Sequence, residues 1–228
     1  MPSRSRRLLA EFLGTALLAA VVVGSGIAAE RLSPHDTGLA LLENALATAL
    51  GLGVIIVILG PVSGAHLNPV ISLVDAILGR RRWGDALSYI PAQVLGCAAG
   101  AILANLMFGG AAVSISTNDR LTPAHLLSEA VATAGLVLVV FLLAAHGQQR
   151  FAPVSVGAYI GAAYFFTSST GFANPAITVG RMLTDTFSGI APSSAPAFIA
   201  AQVVGGVLGL GLVRLLAPTA SASRAAQP

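Results

Sequence analysis

The sequence SGAHLNPV at residues 63–70 and the sequence STGFANPA at residues 169–176 decide the fold of this 228-residue chain. Each places Asn-Pro at the start of a short apolar segment, roughly residues 68–78 and 174–183. Asn is a favoured N-cap residue, and Pro suits the first helical position because its missing N–H is not needed there. Each stretch therefore predicts a half-helix that begins at a bend inside the membrane, led in by non-helical backbone. Ordinary surface loops are the alternative, which two matched breakers disfavour.

The composition predicts that lipid is the solvent of this chain. Hydrophobic residues make up 55% of it and charged residues only 9%, with a mean hydropathy of +0.84; soluble domains carry about 25% charged residues. Six apolar runs are candidate membrane spans, at roughly 8–29, 39–60, 85–108, 124–146, 153–170 and 195–217. The first run is longer than the apolar part of a signal peptide and carries Glu11, so we expect it to be retained.

The twelve cations are all Arg, and most of them lie between the apolar runs. Counted by alternating sides, nine lie on one side and three, Arg31, Arg120 and Arg181, on the other. The positive-inside rule predicts a plasma (inner) membrane protein with both termini in the cytoplasm. It also disfavours a nucleic-acid partner, which the isoelectric point near 9.8 could suggest. The Ala/Ser-rich tail, 218–228, is predicted to be disordered.

The two halves of the chain, residues 8–108 and 124–217, repeat one another. The matched positions, in order, are Glu11 and Glu129, Asn68 and Asn174, and Gln93 and Gln202. Each half holds three spans and one half-helix, and an odd number of spans inverts the second half relative to the first. The predicted fold is an all-α membrane protein forming one channel domain. It has six transmembrane helices plus two re-entrant half-helices in an inverted 3+3 repeat.

Four acidic or basic residues predicted to lie at membrane depth need an explanation, since charge is costly inside a membrane. We expect Glu11 and Glu129 to accept hydrogen bonds from the N–H groups of the lead-in loops; a proton relay is the alternative. His66 could be a pH gate or a ligand, but no acid lies near it in sequence. We therefore expect it to face the lumen or to support the first loop by packing. Asp75 is expected to face the Arg80–Arg82 cluster.

No catalytic residue, metal site or cofactor is predicted. The single Cys97 lies in an apolar run and can form neither a disulfide framework nor a thiolate cluster, and no hydrolase or phosphate-binding motif is present. An enzyme is disfavoured for want of a nucleophile–base pair. A secondary transporter, which also uses inverted repeats and broken helices, remains the alternative; it would need a coupling carboxylate close to a break, and neither box contains one.

This pattern resembles the aquaporin and aquaglyceroporin (major intrinsic protein) family over about residues 8–217. The resemblance implies a channel for small neutral solutes, without a cofactor, in a homotetramer with one pore per subunit. Asn68 and Asn174 would donate hydrogen bonds to solutes at the membrane midplane. The remaining box residues are Pro69, Val70, Pro175 and Ala176. Val70 departs mildly from the Ala that is usual in the first box.

The outer constriction departs further from the family pattern. An Arg normally follows the second box, and this chain has Ile177 there. Carrying over the other constriction positions gives Thr48, Ala162 and Gly171, or Phe172 if the loop alignment slips by one. This set is similar to bacterial members that lack the Arg and are associated with arsenic handling. It implies a wide, apolar mouth for polyols such as glycerol, urea-like solutes, neutral metalloid hydroxides such as arsenous acid, and water.

Arg181 offers a second source of charge at this mouth. It lies four residues after Ile177, so both are on one helix face. Our hypothesis is that Arg181 reaches back to the outer vestibule and partly replaces the lost Arg. A contact with lipid head groups or a loop is the alternative, because interfacial Arg side chains commonly extend toward the membrane surface.

Overall fold

The computed structural model describes residues 2–217, and within that range its regular structure is entirely helical. The helices are α1 (Arg4–Leu32), α2 (Thr37–Ser63), α3 (Pro69–Ile77), α4 (Trp83–Met107), α5 (Pro123–Ala145), α6 (Ala152–Phe166), α7 (Pro175–Arg181) and α8 (Ala195–Leu216). A single 3₁₀ turn, Gln149–Phe151, precedes α6. The tail predicted to be disordered, 218–228, lies outside the described residues.

Six of these helices cross the membrane, as predicted. Within residues 2–217, the helices α1, α2, α4, α5 and α8 are long and apolar enough to do so on length and composition alone. Helix α6 has only 15 residues, which explains why its apolar run is the shortest. Together with the 3₁₀ turn it rises about 28 Å, close to the ~30 Å thickness of the hydrocarbon layer.

Small residues bring the crossing helices together in matched pairs. Helix α4 meets α1 through Gly96 and Gly100, and α8 meets α5 through Gly205 and Gly209. At Gly100 an added Cβ would collide with the backbone of Ala16. In lipid, where no hydrophobic effect drives helices together, such close backbone contact is a main source of packing energy. The glycines therefore fix the two three-helix halves on the same plan.

The two half-helices enter the membrane from opposite faces. Because six helices cross, α1 begins and α8 ends on the same side, which we call the terminal face; the other side is the opposite face. Helix α3 returns to the terminal face and α7 to the opposite face. Their N-terminal ends meet in the interior, where α3 contacts α7. This inverted arrangement confirms the predicted fold class and places both Asn-Pro boxes at the centre of the molecule.

Candidate functional site: a cavity at the meeting point of two half-helices

Each half-helix is started by its own asparagine. Oδ1 of Asn68 accepts a 2.9 Å hydrogen bond from the N–H of Val70, and Oδ1 of Asn174 accepts one of 2.9 Å from the N–H of Ala176. Both asparagines have extended backbone, as N-cap residues do. The side-chain carbonyls are thus turned to the helices, which leaves the amide groups pointing away from them.

The two amide groups cross between the halves. Nδ2 of Asn68 donates a 2.7 Å hydrogen bond to the carbonyl of Ala173, and Nδ2 of Asn174 donates one of 2.7 Å to the carbonyl of Leu67. An amide nitrogen carries two protons, so each asparagine keeps a second N–H. Both asparagines also line the central cavity described below. The sequence predicted donors for a passing solute, and it did not predict that half of their donor capacity joins the two repeats.

The lead-in loops adopt backbone that L residues rarely adopt. Among the described residues, four that are not glycine have positive φ: Ala65 and Leu67 in the first half, Thr170 and Ala173 in the second. Leu67 matches Ala173, whereas Ala65 and Thr170 match glycines that also have positive φ, Gly171 and Gly64. Each of the four non-glycine residues costs about 1–2 kcal/mol. The result is a run of backbone carbonyls and N–H groups that are not used in helices, so the surrounding side chains must hold the loops in place.

Glu11 and Glu129 hold these loops. Oε1 of Glu11 accepts hydrogen bonds from Ser63 Oγ (2.6 Å) and from the N–H of His66 (3.0 Å), and Oε2 accepts from the N–H of Leu67 (2.8 Å) and from Gln93 Nε2 (2.8 Å). Each carboxylate oxygen therefore accepts two hydrogen bonds. The carboxylate is fully buried, and this bonding compensates for its removal from water.

The second half reproduces this arrangement bond for bond. Glu129 accepts from Ser169 Oγ (2.6 Å), from the N–H groups of Phe172 (2.9 Å) and Ala173 (2.9 Å), and from Gln202 Nε2 (2.7 Å). The glutamines Gln93 and Gln202 are visible in the sequence as repeated residues. Their role as the fourth donor to each carboxylate was missed, because it depends on how α4 packs on α1 and α8 on α5.

A cavity of about 710 Å³ runs past both boxes. Much of its wall is apolar, contributed by residues such as Leu18, Val22, Leu52, Leu136 and Val156. Its polar groups are concentrated at the two asparagines, at the lead-in loops and at the two ends. A cavity of this kind leaves a small solute without competing partners along most of the wall and offers hydrogen bonds at a few fixed points.

The end of the cavity toward the opposite face contains most of the predicted constriction. Thr48, Gly171, Phe172 and Ile177 all line it. The sequence left open whether Gly171 or Phe172 faces the pore, and in the structure both border the cavity. Four of the five predicted positions thus border the cavity, and their role as its constriction stays a prediction.

The assignment of Ala162 is wrong. Ala162 is exposed on the outer surface of α6 and does not line the cavity, whereas Tyr164 is 4% exposed and does. Two residues along a helix turn the side chain by about 200°, so a register error of two residues reverses the face. Counting back from the second box could not give this register, because it depends on where α6 ends and the non-helical lead-in begins. The hydroxyl of Tyr164 lies 3.1 Å from Oγ1 of Thr48 on α2.

Arg181 also reaches this end of the cavity. Its side chain is 3% exposed and lines the cavity together with Ile177. The guanidinium carbon lies 3.4 Å from the centre of the Phe172 ring, and Nε donates to the backbone carbonyl of Ser188. Among residues 2–217 no protein acceptor takes its two η nitrogens. The side chain therefore both lines the cavity and contacts a loop, which was part of the alternative, and at 3% exposure it is turned away from the membrane surface.

The end of the cavity toward the terminal face is built around Asp75. Oδ2 of Asp75 lies 3.3 Å from Nε2 of His66 and 3.2 Å from Nε of Arg81, and Arg80 approaches Oδ1 at 3.9 Å. The expectation that His66 has no acidic partner is therefore wrong; the acid is nine residues further on, one and a half turns into α3. The Ser72 hydroxyl, 3.0 Å from His66 Nδ1, holds the other side of the ring.

A covering loop, residues 108–122, closes over the opposite face. Arg120 donates to the carbonyls of Gly189 (2.8 Å) and Phe187 (3.1 Å), and its guanidinium lies 5.4 Å from the centre of the Phe172 ring. Burial lowers the pKa of Arg120 from its ordinary value. Hydrogen bonds from the N–H of Leu121 and from the Ser194 hydroxyl lower the pKa of Asp119 from its ordinary value.

The described residues contain no group of three or more His, Cys, Asp or Glu side chains that could hold a metal ion. The buried thiol of Cys97 contacts the carbonyl of Thr15 at 3.7 Å, as a packing residue does. The polar groups that border the cavity are thus hydrogen-bond donors and acceptors at fixed positions, which suit recognition of a passing solute.

Comparisons with known proteins agree with this geometry. Residues 1–173 match the family described as "Major intrinsic protein". The chain is 48% identical to the aquaglyceroporin AqpS of Rhizobium meliloti (strain 1021), over 98% of this chain and 96% of that protein. It is 31% identical to a glycerol uptake facilitator protein of Streptococcus pneumoniae (strain ATCC BAA-255 / R6), over 76% of this chain and 80% of the relative. The crystal structure of the aquaglyceroporin from Plasmodium falciparum superimposes with a TM-score of 0.71 at 25% identity, covering 93% of this chain and 100% of that one.

Proposed function

Since the chain belongs to the major intrinsic protein family, we propose that it is a passive membrane channel for glycerol and other polyols, urea-like solutes, neutral metalloid hydroxides such as arsenous acid, and water. Like the aquaglyceroporins it is similar to, it acts as a channel and not as an enzyme. The observation that carries the proposal is the cavity of about 710 Å³ that passes both asparagines and ends beside Ile177. The solute range rests on what borders that end.

Selection against cations is attributed to the two half-helices. Their N-terminal ends meet at the centre, and each carries the positive end of a helix dipole. The remaining N–H groups of Asn68 and Asn174 are available to the oxygen atom of a solute, and the box residues Pro69, Val70, Pro175 and Ala176 keep those asparagines in place. A cation would meet two positive helix ends, whereas a neutral hydroxyl compound would find hydrogen-bond donors.

The width of the mouth is attributed to three positions at which water-selective members of the family carry larger or charged side chains, while Tyr164, which takes the place of Ala162, adds bulk on the α6 side. Gly171 has no side chain, and Thr48 and Ile177 carry no charge. Arg181 supplies the positive charge from one turn further along α7, stacked on Phe172. Because that guanidinium is held back by Phe172 and by the Ser188 carbonyl, it narrows the mouth less than an Arg at position 177 would.

A coupled transporter is not favoured by the bonding of the carboxylates. Coupling to an ion needs a carboxylate that can exchange partners near the break. Glu11 and Glu129 each accept four hydrogen bonds from the loops and from the neighbouring helix. Releasing either would unfold its lead-in, so these groups support the pore and do not cycle.

The membrane, its sidedness and the assembly are part of the same proposal. We assign the terminal face to the cytoplasm, which puts both termini there and gives that side nine of the twelve Arg residues. Large apolar side chains such as Leu46, Leu95 and Leu208 are exposed on the outer surfaces of α2, α4 and α8. They suit contact with lipid and with neighbouring subunits in a homotetramer of the inner membrane.

The test is permeation through purified protein in liposomes. Swelling rates are compared for water, glycerol, urea and arsenous acid in the wild type, in Ile177→Arg and in the control Ile177→Val. Ile177→Arg is expected to reduce glycerol and arsenous acid flux at least about fivefold more than water flux, because a guanidinium at this position would add bulk beside Thr48 and Gly171. Ile177→Val keeps the apolar wall and should behave as the wild type. Equal effects of Ile177→Arg on all four solutes would contradict the constriction.

A further inference from the structure

The hydroxyl pair formed by Tyr164 and Thr48 has one proton more than it uses. The two oxygens lie 3.1 Å apart, on α6 and α2, and either can be the donor. Two hydroxyl groups carry two protons, and their mutual bond uses one. Within residues 2–217 neither oxygen has another protein partner. Since both side chains border the cavity, the pair presents one O–H donor and unused lone pairs to a solute there.

Arg181 complements this pair chemically. A guanidinium group only donates, and its η nitrogens have no protein acceptor in the described part of the chain. The pair can both donate and accept. Phe172 and Ile177 add apolar surface to the wall of the same cavity. A solute that enters this end therefore meets donors on α7 and a donor–acceptor pair on α2 and α6, and the apolar residues offer it no competing hydrogen bond.

We propose that Tyr164, positioned by Thr48, is a specificity-determining residue that exchanges hydrogen bonds with the hydroxyl groups of a polyhydroxylated solute. The inference rests on the proposed channel function and adds the solute chemistry that this end selects. A solute with several hydroxyls can accept from Arg181 through one oxygen while another donates to, or accepts from, the Tyr164 hydroxyl. A solute of the same size without a second hydroxyl leaves one side of the site unpaired.

The Tyr164 ring and its hydroxyl have separable effects. The ring fills volume at a buried position, and the hydroxyl provides the exchange of hydrogen bonds. Tyr164→Phe removes only the second. A control is available on the same helix: Tyr159 is part-buried, donates a 3.0 Å hydrogen bond to the carbonyl of Ala132, and does not line the cavity. Tyr159→Phe therefore loses a hydrogen bond of similar kind away from the solute path.

The experiment measures glycerol and water permeability of the wild type, Tyr164→Phe and Tyr159→Phe in liposomes by stopped-flow light scattering. Tyr164→Phe is expected to lower the ratio of glycerol to water permeability roughly five- to tenfold, the effect of one unpaired hydrogen bond. Water permeability is affected less, because a water molecule in the channel can replace the lost tyrosine hydroxyl with a hydrogen bond to a neighbouring water. Tyr159→Phe should leave the ratio unchanged.

An unchanged ratio in Tyr164→Phe would overturn the inference, and so would an increase, which would make Tyr164 a steric barrier only. Wild-type protein that passes no more glycerol than empty liposomes would instead contradict the proposed function, on which the inference depends. If Tyr164→Phe does not elute as a folded species, Thr48→Val carries the test. It leaves the tyrosine hydroxyl unheld and should lower the same ratio at least about twofold, and no change would overturn the role of the pair.

Discussion

The two ends of the cavity are built on one backbone plan and place residues of opposite charge at the same position. Seven residues after Asn68, toward the terminal face, stands Asp75; seven residues after Asn174, toward the opposite face, stands Arg181. Asp75 faces His66, and Arg181 faces Phe172, which occupies the corresponding place in the second lead-in. The two equivalent loops therefore support an acid–imidazole contact at one mouth and a cation–π contact at the other. Charge at each mouth can change without any change in fold.

The helix dipole favours the charged residue at one of these two ends and disfavours the one at the other. A helix C-terminus carries partial negative charge, which favours Arg181 at the last residue of α7 and disfavours Asp75 in the last turn of α3. Asp75 is accordingly surrounded by cations, with Arg81 at 3.2 Å and Arg80 at 3.9 Å. Arg181 needs no counter-ion of this kind and is held by an aromatic ring and a carbonyl. Asp75 is thus paired with counter-ions, whereas Arg181 has none among its contacts within residues 2–217.

The largest effect is expected on stability, from variants that remove the loop support shared by the two halves. Glu11→Ala and Glu129→Ala each remove four accepted hydrogen bonds and leave buried loop N–H groups unpaired, so each should cost on the order of 3–5 kcal/mol of stability. The measurement is thermal unfolding of the protein in detergent. Glu43→Ala is the control, because Glu43 accepts one hydrogen bond, 2.9 Å from Ser33 Oγ, near a helix start. Shifts no larger than the control's would contradict the role of the two carboxylates, and clearly unequal shifts would show that the halves are not equivalent.

The second effect concerns the charge at the opposite mouth. Arg181→Ala should raise the permeability to polyols larger than glycerol about fivefold and produce a measurable cation leak, since both bulk and positive charge are removed from the end of the cavity. Arg181→Lys should keep the ion barrier but lose the planar stack on Phe172.

Liposome swelling and ion-flux measurements compare these variants with Arg214→Ala, which removes an exposed charge at the end of α8. If polyol, urea and ion permeability in Arg181→Ala all equal those of the wild type, Arg181 takes no part in selection and the contrast between the mouths has no functional meaning.

The smallest effect is expected from Tyr89→Phe, which makes the terminal mouth more like the opposite one. Tyr89 and Phe198 are matched residues, and each packs edge-on against the lead-in ring of its half, at 5.4 Å to His66 and 5.3 Å to Phe172. The Tyr89 hydroxyl donates to the Ser63 carbonyl (2.8 Å) and accepts from Arg81 (2.8 Å). Tyr89→Phe should therefore cost about 1 kcal/mol in unfolding free energy with little change in glycerol flux. A variant as stable as the wild type would mean that the bond from Arg81 satisfies the Ser63 carbonyl without the tyrosine hydroxyl.

Much of the fold was predictable because its determinants are local or repeated. Asn68-Pro69 and Asn174-Pro175 start helices by capping chemistry, and the order of Glu, Asn-Pro and Gln in both halves predicts the inversion. The side chains at the ends of the cavity were harder. Helix α6 presents Tyr164 instead of Ala162 because its register is set by packing against α2, which spacing along the chain does not determine.

The pairing of His66 with Asp75 was accessible but was missed. It follows from treating the halves as equivalent: position 75 corresponds to 181, and position 66 corresponds to 172. If the halves are equivalent, the contact between Phe172 and Arg181 in the second half has its counterpart in a contact between His66 and Asp75 in the first. The hydrogen bonds from each asparagine to the opposing lead-in have no such signal, since they join residues more than a hundred positions apart.

Those two crossing bonds bear on the order in which the protein is made. When the ribosome has completed the first three crossing helices, the Asn68 amide still lacks its acceptor, the Ala173 carbonyl, which has not yet been synthesised. The first box therefore matures only once the second has threaded into the bilayer, and the second is completed by Leu67 in the same event. A nascent chain arrested halfway therefore holds the Asn68 amide without its acceptor, and both lead-ins are completed only when the two halves lie together.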